Sequence, residues 1–198
     1  PANISFEEMY FERAALYAEF GKIIVVGMGF LFVNKQGELS LKVKTIANAD
    51  EKELLVEFID FINKTYKSRE LTLVAHNGKE FDFPYLCRRI LINELPIPVQ
   101  LNLHGKKPWE IMHLDTMDLW KFGDFKNYTS LKLLAAVFNI PSPKDDIDGS
   151  MVNGVYWKEN DLERIRVYCE KDVITTARIL LRFKSLPILS DEDITIVN

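Results

Sequence analysis

Cysteine, histidine and net positive charge are the scarce features of this chain. Its 198 residues include two cysteines and three histidines, and the formal net charge is −4. Cys87 and Cys169 lack the spacing of a metal site and are too few for a disulfide framework. Both are expected as small buried hydrophobes in a reducing, cytoplasmic setting. His76, His104 and His113 share no ligand spacing, which argues against zinc. No apolar run is long enough to span a membrane, and no signal peptide is visible. Repeats and low-complexity tracts are missing too. An acidic balance leaves no overall basic footprint, so a nucleic-acid ligand needs local basic groups or metal ions. The first residue is Pro1 rather than Met, so the natural start is expected upstream.

What is present suits one globular domain over residues 1–198. Hydrophobic residues make up 47% of the chain, enough for a substantial core. Ser5 and Glu8 form a capping box ahead of a helix expected to run to Phe20, with Gly21 as its stop. Residues 22–33 read as an apolar strand, where Gly27 and Gly29 suggest a bulge or close packing. Asn34–Gly37 is a turn, and residues 38–46 form the returning strand. A helix is expected over 50–67, a short strand over 71–75 and a helix ending near Asn93. Three prolines make 95–108 an irregular connection. A strand over 109–114, a helix over 130–138, a polar loop to Asn153 and a long helix over 161–184 complete the pattern. The tail after Pro187 is polar and expected to be mobile. A hairpin followed by alternating helices and strands points to a mixed sheet flanked by helices.

Two stretches carry chemistry. In LTLVAHNGKEFDFPYLCRR, residues 71–89, Asp82 falls between the carboxyl end of a strand and the amino end of a helix. Open α/β sheets bind ligands at such seams. An Asp at a helix start is also an ordinary cap. The second stretch is Tyr168-Cys169-Glu170-Lys171-Asp172. Tyr168 and Asp172 lie one turn apart on a helical segment, ~6 Å along the axis, and project from one face. Asp172 sits well inside the helix, where capping does not explain it. Tyr168 also has an ordinary reading as a half-buried hydrogen-bonding phenol.

In this order, the stretches resemble the second and third motifs of the DEDD-type 3′–5′ exonucleases that carry Tyr in the third. HNGKEFDFPYL matches Asn-x-x-x-Phe-Asp, and YCEKD matches Tyr-x-x-x-Asp. The wording is closest to predicted bacterial exonucleases similar to the proofreading domain of family-B DNA polymerases, and the likeness extends over nearly the whole chain. It implies an RNase H-like fold and hydrolysis of single-stranded DNA from the 3′ end to nucleoside monophosphates, in repair or proofreading. RNA remains an alternative substrate. The implied cofactors are two Mg²⁺ or Mn²⁺ ions held in part by Asp82 and Asp172, with Tyr168 orienting the attacking water. Two such ions, ~3.5–4 Å apart, clamp the attacking and leaving oxygens of a phosphodiester. Asn77 and Phe81 are expected at the terminal nucleotides, and Arg88 and Arg89 are expected as nucleic-acid contacts, at least one of them facing solvent or a phosphate; a turn Asn and a core Phe are the ordinary readings. Lys106 and Lys107 read as solvated loop residues or as backbone contacts. Asp115 and Asp118 read as structural or supporting the ligands. Asp145, Asp146 and Asp148 do not make a calcium loop, because no Glu stands where its last ligand belongs.

The resemblance has one gap. The family's first motif, Asp-x-Glu on the domain's opening strand, has no counterpart before Lys22. Asp161-Leu162-Glu163 has that form but opens the last helix, where acidic residues cap. In the family fold the opening strand lies between the hairpin and the strand at 71–75. Without it, two sheet edges face each other with unpaired backbone groups. Weak or absent activity is therefore expected of the chain as given. A catalytically inactive module that binds nucleic acid or a polymerase partner is the alternative reading.

Overall fold

The computed structural model describes residues 5–65, 71–124, 128–141 and 147–197. Helix α1 (Phe6–Arg13) begins at the Ser5–Glu8 capping box, with Ser5 Oγ accepting from Glu8 N at 3.1 Å. It is shorter than its sequence pattern, giving way to a 3₁₀ turn at Ala14–Leu16. None of its residues is buried, so packing does not extend it.

Strands β1 (Val25–Val33) and β2 (Leu39–Ala47) form an antiparallel hairpin with Val25 opposite Ala47 and Val33 opposite Leu39. Asn34 closes the turn, its side-chain oxygen accepting from Gln36 N and Glu38 N at 2.9 Å each. Strand β1 starts later than its apolar run because Ile23 N leaves the ladder to bind Glu51 Oε1 at 2.6 Å. Helix α2 (Glu51–Thr65) turns Leu54, Leu55, Phe58, Ile59 and Ile62 inward.

Strand β3 (Val74–Ala75) leads into helix α3 (Asp82–Ile92). The region expected as a strand from Trp109 instead begins with a 3₁₀ turn at Pro108–Glu110, followed by β4 (Leu114–Asp115). Short helices α4 (Thr116–Lys121), α5 (Leu131–Val137) and α6 (Val152–Gly154) follow. A wide π-type turn at Val155–Glu159 separates α6 from α7 (Leu162–Phe183). Asp161 caps α7, accepting from Arg164 N at 3.0 Å, the role its acidic first turn predicts.

The tail corrects the expectation of mobility. Residues Ile194–Val197 form β5, parallel to β2. Arg178, buried in α7, pins its approach by donating to Leu189 O at 3.0 Å and Asp191 Oδ1 at 2.6 Å. Among the described residues two small sheets result, β1-β2-β5 and β3-β4, flanked by helices in a mixed α/β arrangement of the RNase H-like kind. β1 and β3 share no ladder, yet Val26, Met28, Leu73 and Ala75 all pack on the core cluster of Leu54, Phe58, Phe83 and Ile90. The division between the two sheets falls where the family's opening strand is expected. No described helix is long and apolar enough to cross a membrane.

Candidate active site

The first site element is the turn between β3 and α3. Asn77 adopts φ 62°, a left-handed conformation that Asn tolerates better than most residues. Gly78 is required by contact: a Cβ there would lie 2.3 Å from Ala75 Cβ. The same position lies 3.5 Å from Asp82 Oδ2, so the Asp82 carboxyl rests over Gly78. Phe81 is the N-cap position of α3 and makes no side-chain cap bond. Asp82, in the first turn, accepts from its own backbone N–H. It keeps solvent access, while the surrounding protein raises its pKa by desolvation, with a further contribution from Asp115. Access combined with desolvation describes a group on a concave surface rather than on an open one.

The second element is α7. Its Val173 lies against β1 where two glycines permit close approach; a Cβ would meet Val173 at 3.0 Å from Gly27 and 2.7 Å from Gly29. This contact fixes the rotation of the helix and hence the direction of Tyr168 and Asp172. The Tyr168 hydroxyl bonds the Asp172 carboxylate. Burial, then the Asp172 charge and this bond, push the phenol pKa further up, so Tyr168 keeps its proton. Between them lies Cys169, whose thiol is pushed up to about 12 by burial, then by Asp172, Asp82 and Glu170. Asp82 and Asp172, 90 positions apart in sequence, thus both act on one thiol. Asp148 joins from the loop before α6, adding to the upward push on Tyr168. Motif spacing did not identify Asp148; the Asp-Gly-Ser turn at 148–150 was its only signal. Its own carboxyl is engaged by Ser150 N at 2.8 Å and Ser150 Oγ at 2.6 Å, which hold its pKa low.

The other candidates divide. Asn77 Oδ1 is buried with no hydrogen-bond partner among the described residues. Phe81 is 41% exposed and leans on Tyr85 at 5.5 Å between centroids. Arg88 is exposed, whereas Arg89 is not. Arg89 corrects the expectation of a phosphate contact: Nε donates to Glu51 Oε1 at 2.8 Å, Nη1 to Ala18 O at 2.7 Å, and Nη2 pairs with Glu51 Oε2. With three of its five N–H donors engaged inside the fold and the side chain buried, Arg89 is not presented to a nucleic acid. Lys106 and Lys107 are exposed, Lys107 lying 5.3 Å from the Trp109 ring. Asp118 pairs with Lys79 at 3.6 Å and Lys121 at 3.4 Å. Asp145 and Asp146 lie outside the described residues.

His76 and His113 are structural. His76 Nε2 donates to Thr129 O at 2.8 Å, and Nδ1 lies 2.9 Å from Thr116 Oγ1. His113 Nε2 donates to Gln100 O at 2.9 Å, and Nδ1 accepts from Leu73 N at 3.2 Å. Facing carbonyls fix both proton positions, and burial lowers both pKa values. The rings are neutral.

Carboxylate oxygens are the donors that hard divalent cations take. Among the described residues, however, no group of three or more His, Cys, Asp or Glu is arranged to hold an ion. Asp82 and Asp172 fit part of such a shell and not a complete one. A family model described as a predicted 3′–5′ exonuclease related to the exonuclease domain of PolB matches residues 16–193. No curated protein matches the chain.

Proposed function

The chain belongs to the family of predicted 3′–5′ exonucleases related to the PolB exonuclease domain, and on that premise we propose that it removes nucleotides from the 3′ end of single-stranded DNA in repair or proofreading. One observation carries this reading: Tyr168 and Asp172 are bonded together on α7, and Asp82, from the far motif, acts on the same Cys169 thiol. Bound divalent cations would lower the pKa of a water and neutralise charge on the phosphate. Asp82 and Asp172 would hold them in part. By the resemblance, the remaining ligands would be the Asp and Glu of a first motif, for which no counterpart stands before Lys22, and little or no turnover is expected of residues 1–198 alone.

The roles of this chain's own residues follow from their chemistry. Tyr168, protonated and held by Asp172, orients the attacking water through its hydroxyl. Asn77 presents a buried oxygen without a partner among the described residues, suited to a donor on the terminal nucleotide. Phe81 offers an exposed ring for stacking, and Arg88 an exposed cation for the backbone.

The test is digestion of 3′-labelled single-stranded DNA by the full polypeptide with Mg²⁺ or Mn²⁺. Stepwise release of mononucleotides is expected, lost in Asp172→Ala and Asp82→Ala; intact DNA with the unmodified protein overturns the reading. The incomplete ligand set supports a second reading, a module that binds nucleic acid without cutting it. That reading requires binding unaffected by Asp172→Ala and no turnover at any metal concentration. Parallel digestion of RNA decides the sugar, through contacts to the 2′-hydroxyl.

A further inference from the structure

We propose that Asp115 is the positioning residue for Asp82: it clamps the turn on which the Asp82 carboxyl rests, without itself touching cation or substrate. The proposal rests on the nuclease reading and adds a residue to it. Asp115 lies beside Ala75 in the β3–β4 register, at the point where the chain leaves β3. Its side chain is 2% exposed in the fold. Oδ1 accepts from Asn77 N at 2.8 Å and from Met117 N at 2.9 Å. Oδ2 accepts from Lys79 N at 3.0 Å. The two turn amides flank Gly78, over which Asp82 Oδ2 sits.

A cation seeking Asp115 would have to displace three backbone amides from a buried carboxylate, so this residue is not a ligand. Nor does capping account for it. The cap of α4 uses Oδ1 through Met117 N, and Oδ2 is left to hold Lys79. The turn needs such a hold because β3 contributes only two ladder residues. Asn77, at positive φ, is also less comfortable there than Gly would be. Phe81 N→Asn77 O at 3.0 Å and Phe83 N→Gly78 O at 2.9 Å pass the constraint on to α3. Bonds to an ionised acceptor are the strong ones.

Asp115→Asn separates the two roles. The amide oxygen still caps α4, Asn being as good a cap as Asp. Its NH₂ group faces the Lys79 N–H, donor against donor, and releases the turn. In the full polypeptide, amide hydrogen exchange at Lys79 is expected to accelerate about tenfold or more while Met117 stays protected. Turnover should fall about 10–100-fold, with a matching rise in the Mn²⁺ concentration for half-maximal rate. KM for the DNA strand should change little.

The deciding measurement is a cycle with Asp82→Asn. In the Asp82→Asn background, Asp115→Asn should cost nothing more in Mn²⁺ affinity or rate. Losses that multiply, or a Lys79 amide that stays protected, overturn the proposal and leave the nuclease reading standing. An Asp82→Asn protein that digests DNA at the unmodified rate overturns both. Absence of turnover in the unmodified protein overturns the nuclease reading, and exchange at Lys79 with Mn²⁺ binding still decides the clamp.

Discussion

The two sheets are built on different principles. In β1-β2-β5 the hairpin register runs unbroken from Val25–Ala47 to Val33–Leu39, and Leu41 and Val43 pack against Ala177 and Leu181 of α7. In β3-β4 each strand is two residues long. Side chains do there what the ladder does elsewhere: Asp115 holds amides 77, 79 and 117, His113 takes Leu73 N, and His76 spans Thr116 and Thr129. One half is thus stabilised mainly by apolar burial, the other by directed polar bonds. Such bonds are sensitive to geometry and pH, yet they fix a small turn more sharply than packing can. The half bearing Asp82 is the one built this way.

The largest effect is expected at the joint between the halves. Glu51, at the start of α2, accepts from Ile23 N ahead of β1 and from Arg89 and Asn93 on the α3 side. Burial works to raise the Glu51 pKa, and these donors outweigh it and hold the carboxyl low. Arg89→Met strands a buried carboxylate and should cost about 3–5 kcal/mol in urea unfolding at pH 7. A cost under about 1 kcal/mol would mean the halves are joined by packing alone.

Next comes a direct contrast. In the larger sheet, Leu41→Ala should cost about 2–5 kcal/mol through the cavity it leaves. In the smaller, Asp115→Ala should cost about 2–4 kcal/mol by leaving three amides without their acceptor. Trimming Leu73, only half-buried, should cost less than Asp115→Ala. If instead Leu73→Ala is the more damaging substitution in equilibrium unfolding, the polar account of β3-β4 fails.

Legibility in the sequence follows the same divide. Elements with a repeating apolar face were readable: α2 from Leu54, Leu55, Phe58, Ile59 and Ile62, and α7 from its stripe and its Asp161 cap. The division between β1 and β3 was anticipated from the family's fold, in which an opening strand lies there; the structure gives these two strands no shared ladder. Asp82, Tyr168 and Asp172 were singled out by motif, and their mutual placement required the fold. Arg89 was misjudged because its partner Glu51 lies on another helix, which no local pattern reports. The strand at 109–114 shrank to Leu114–Asp115, and β5 was missed. A four-residue ITIV behind a polar turn gives too little periodicity to read. Asp115 looked like a supporting residue, and nothing local showed that it binds three amides.

Acidification should separate the halves further. His76 and His113 are neutral with lowered pKa values, chiefly through burial. The contribution of such groups is complete above the ordinary value of 6.5 and is lost as pH falls through the lowered one, because the unfolded chain takes up protons first. Protonating His113 Nδ1 also sets two donors, ring N–H and Leu73 N–H, against each other. Below pH 6.5, amide exchange should therefore rise around Leu73 and Thr116 before it rises in β1 and β2. His76→Gln with His113→Gln should remove that pH dependence. Simultaneous loosening of both sheets would erase the distinction.

The smallest expected change is of opposite sign. The pKa of Asp82 is raised, first by desolvation and then by Asp115. A carboxyl raised in this way supports the fold fully only below its ordinary 3.8, and that support is lost as pH rises through the raised value. At pH 7 the ionised group is therefore a cost, and Asp82→Asn should stabilise the protein. The gain should stay under about 1 kcal/mol because solvent reaches the carboxyl and screens it. It should vanish when unfolding is repeated below pH 3.8. Added Mn²⁺ should narrow the gap at pH 7 by binding the Asp form alone. An Asp kept for capping behaves the other way, since its replacement destabilises the helix. Loss of stability in Asp82→Asn at pH 7 would therefore make Asp82 part of the scaffold; a gain that metal cancels marks a charge held in place for a ligand.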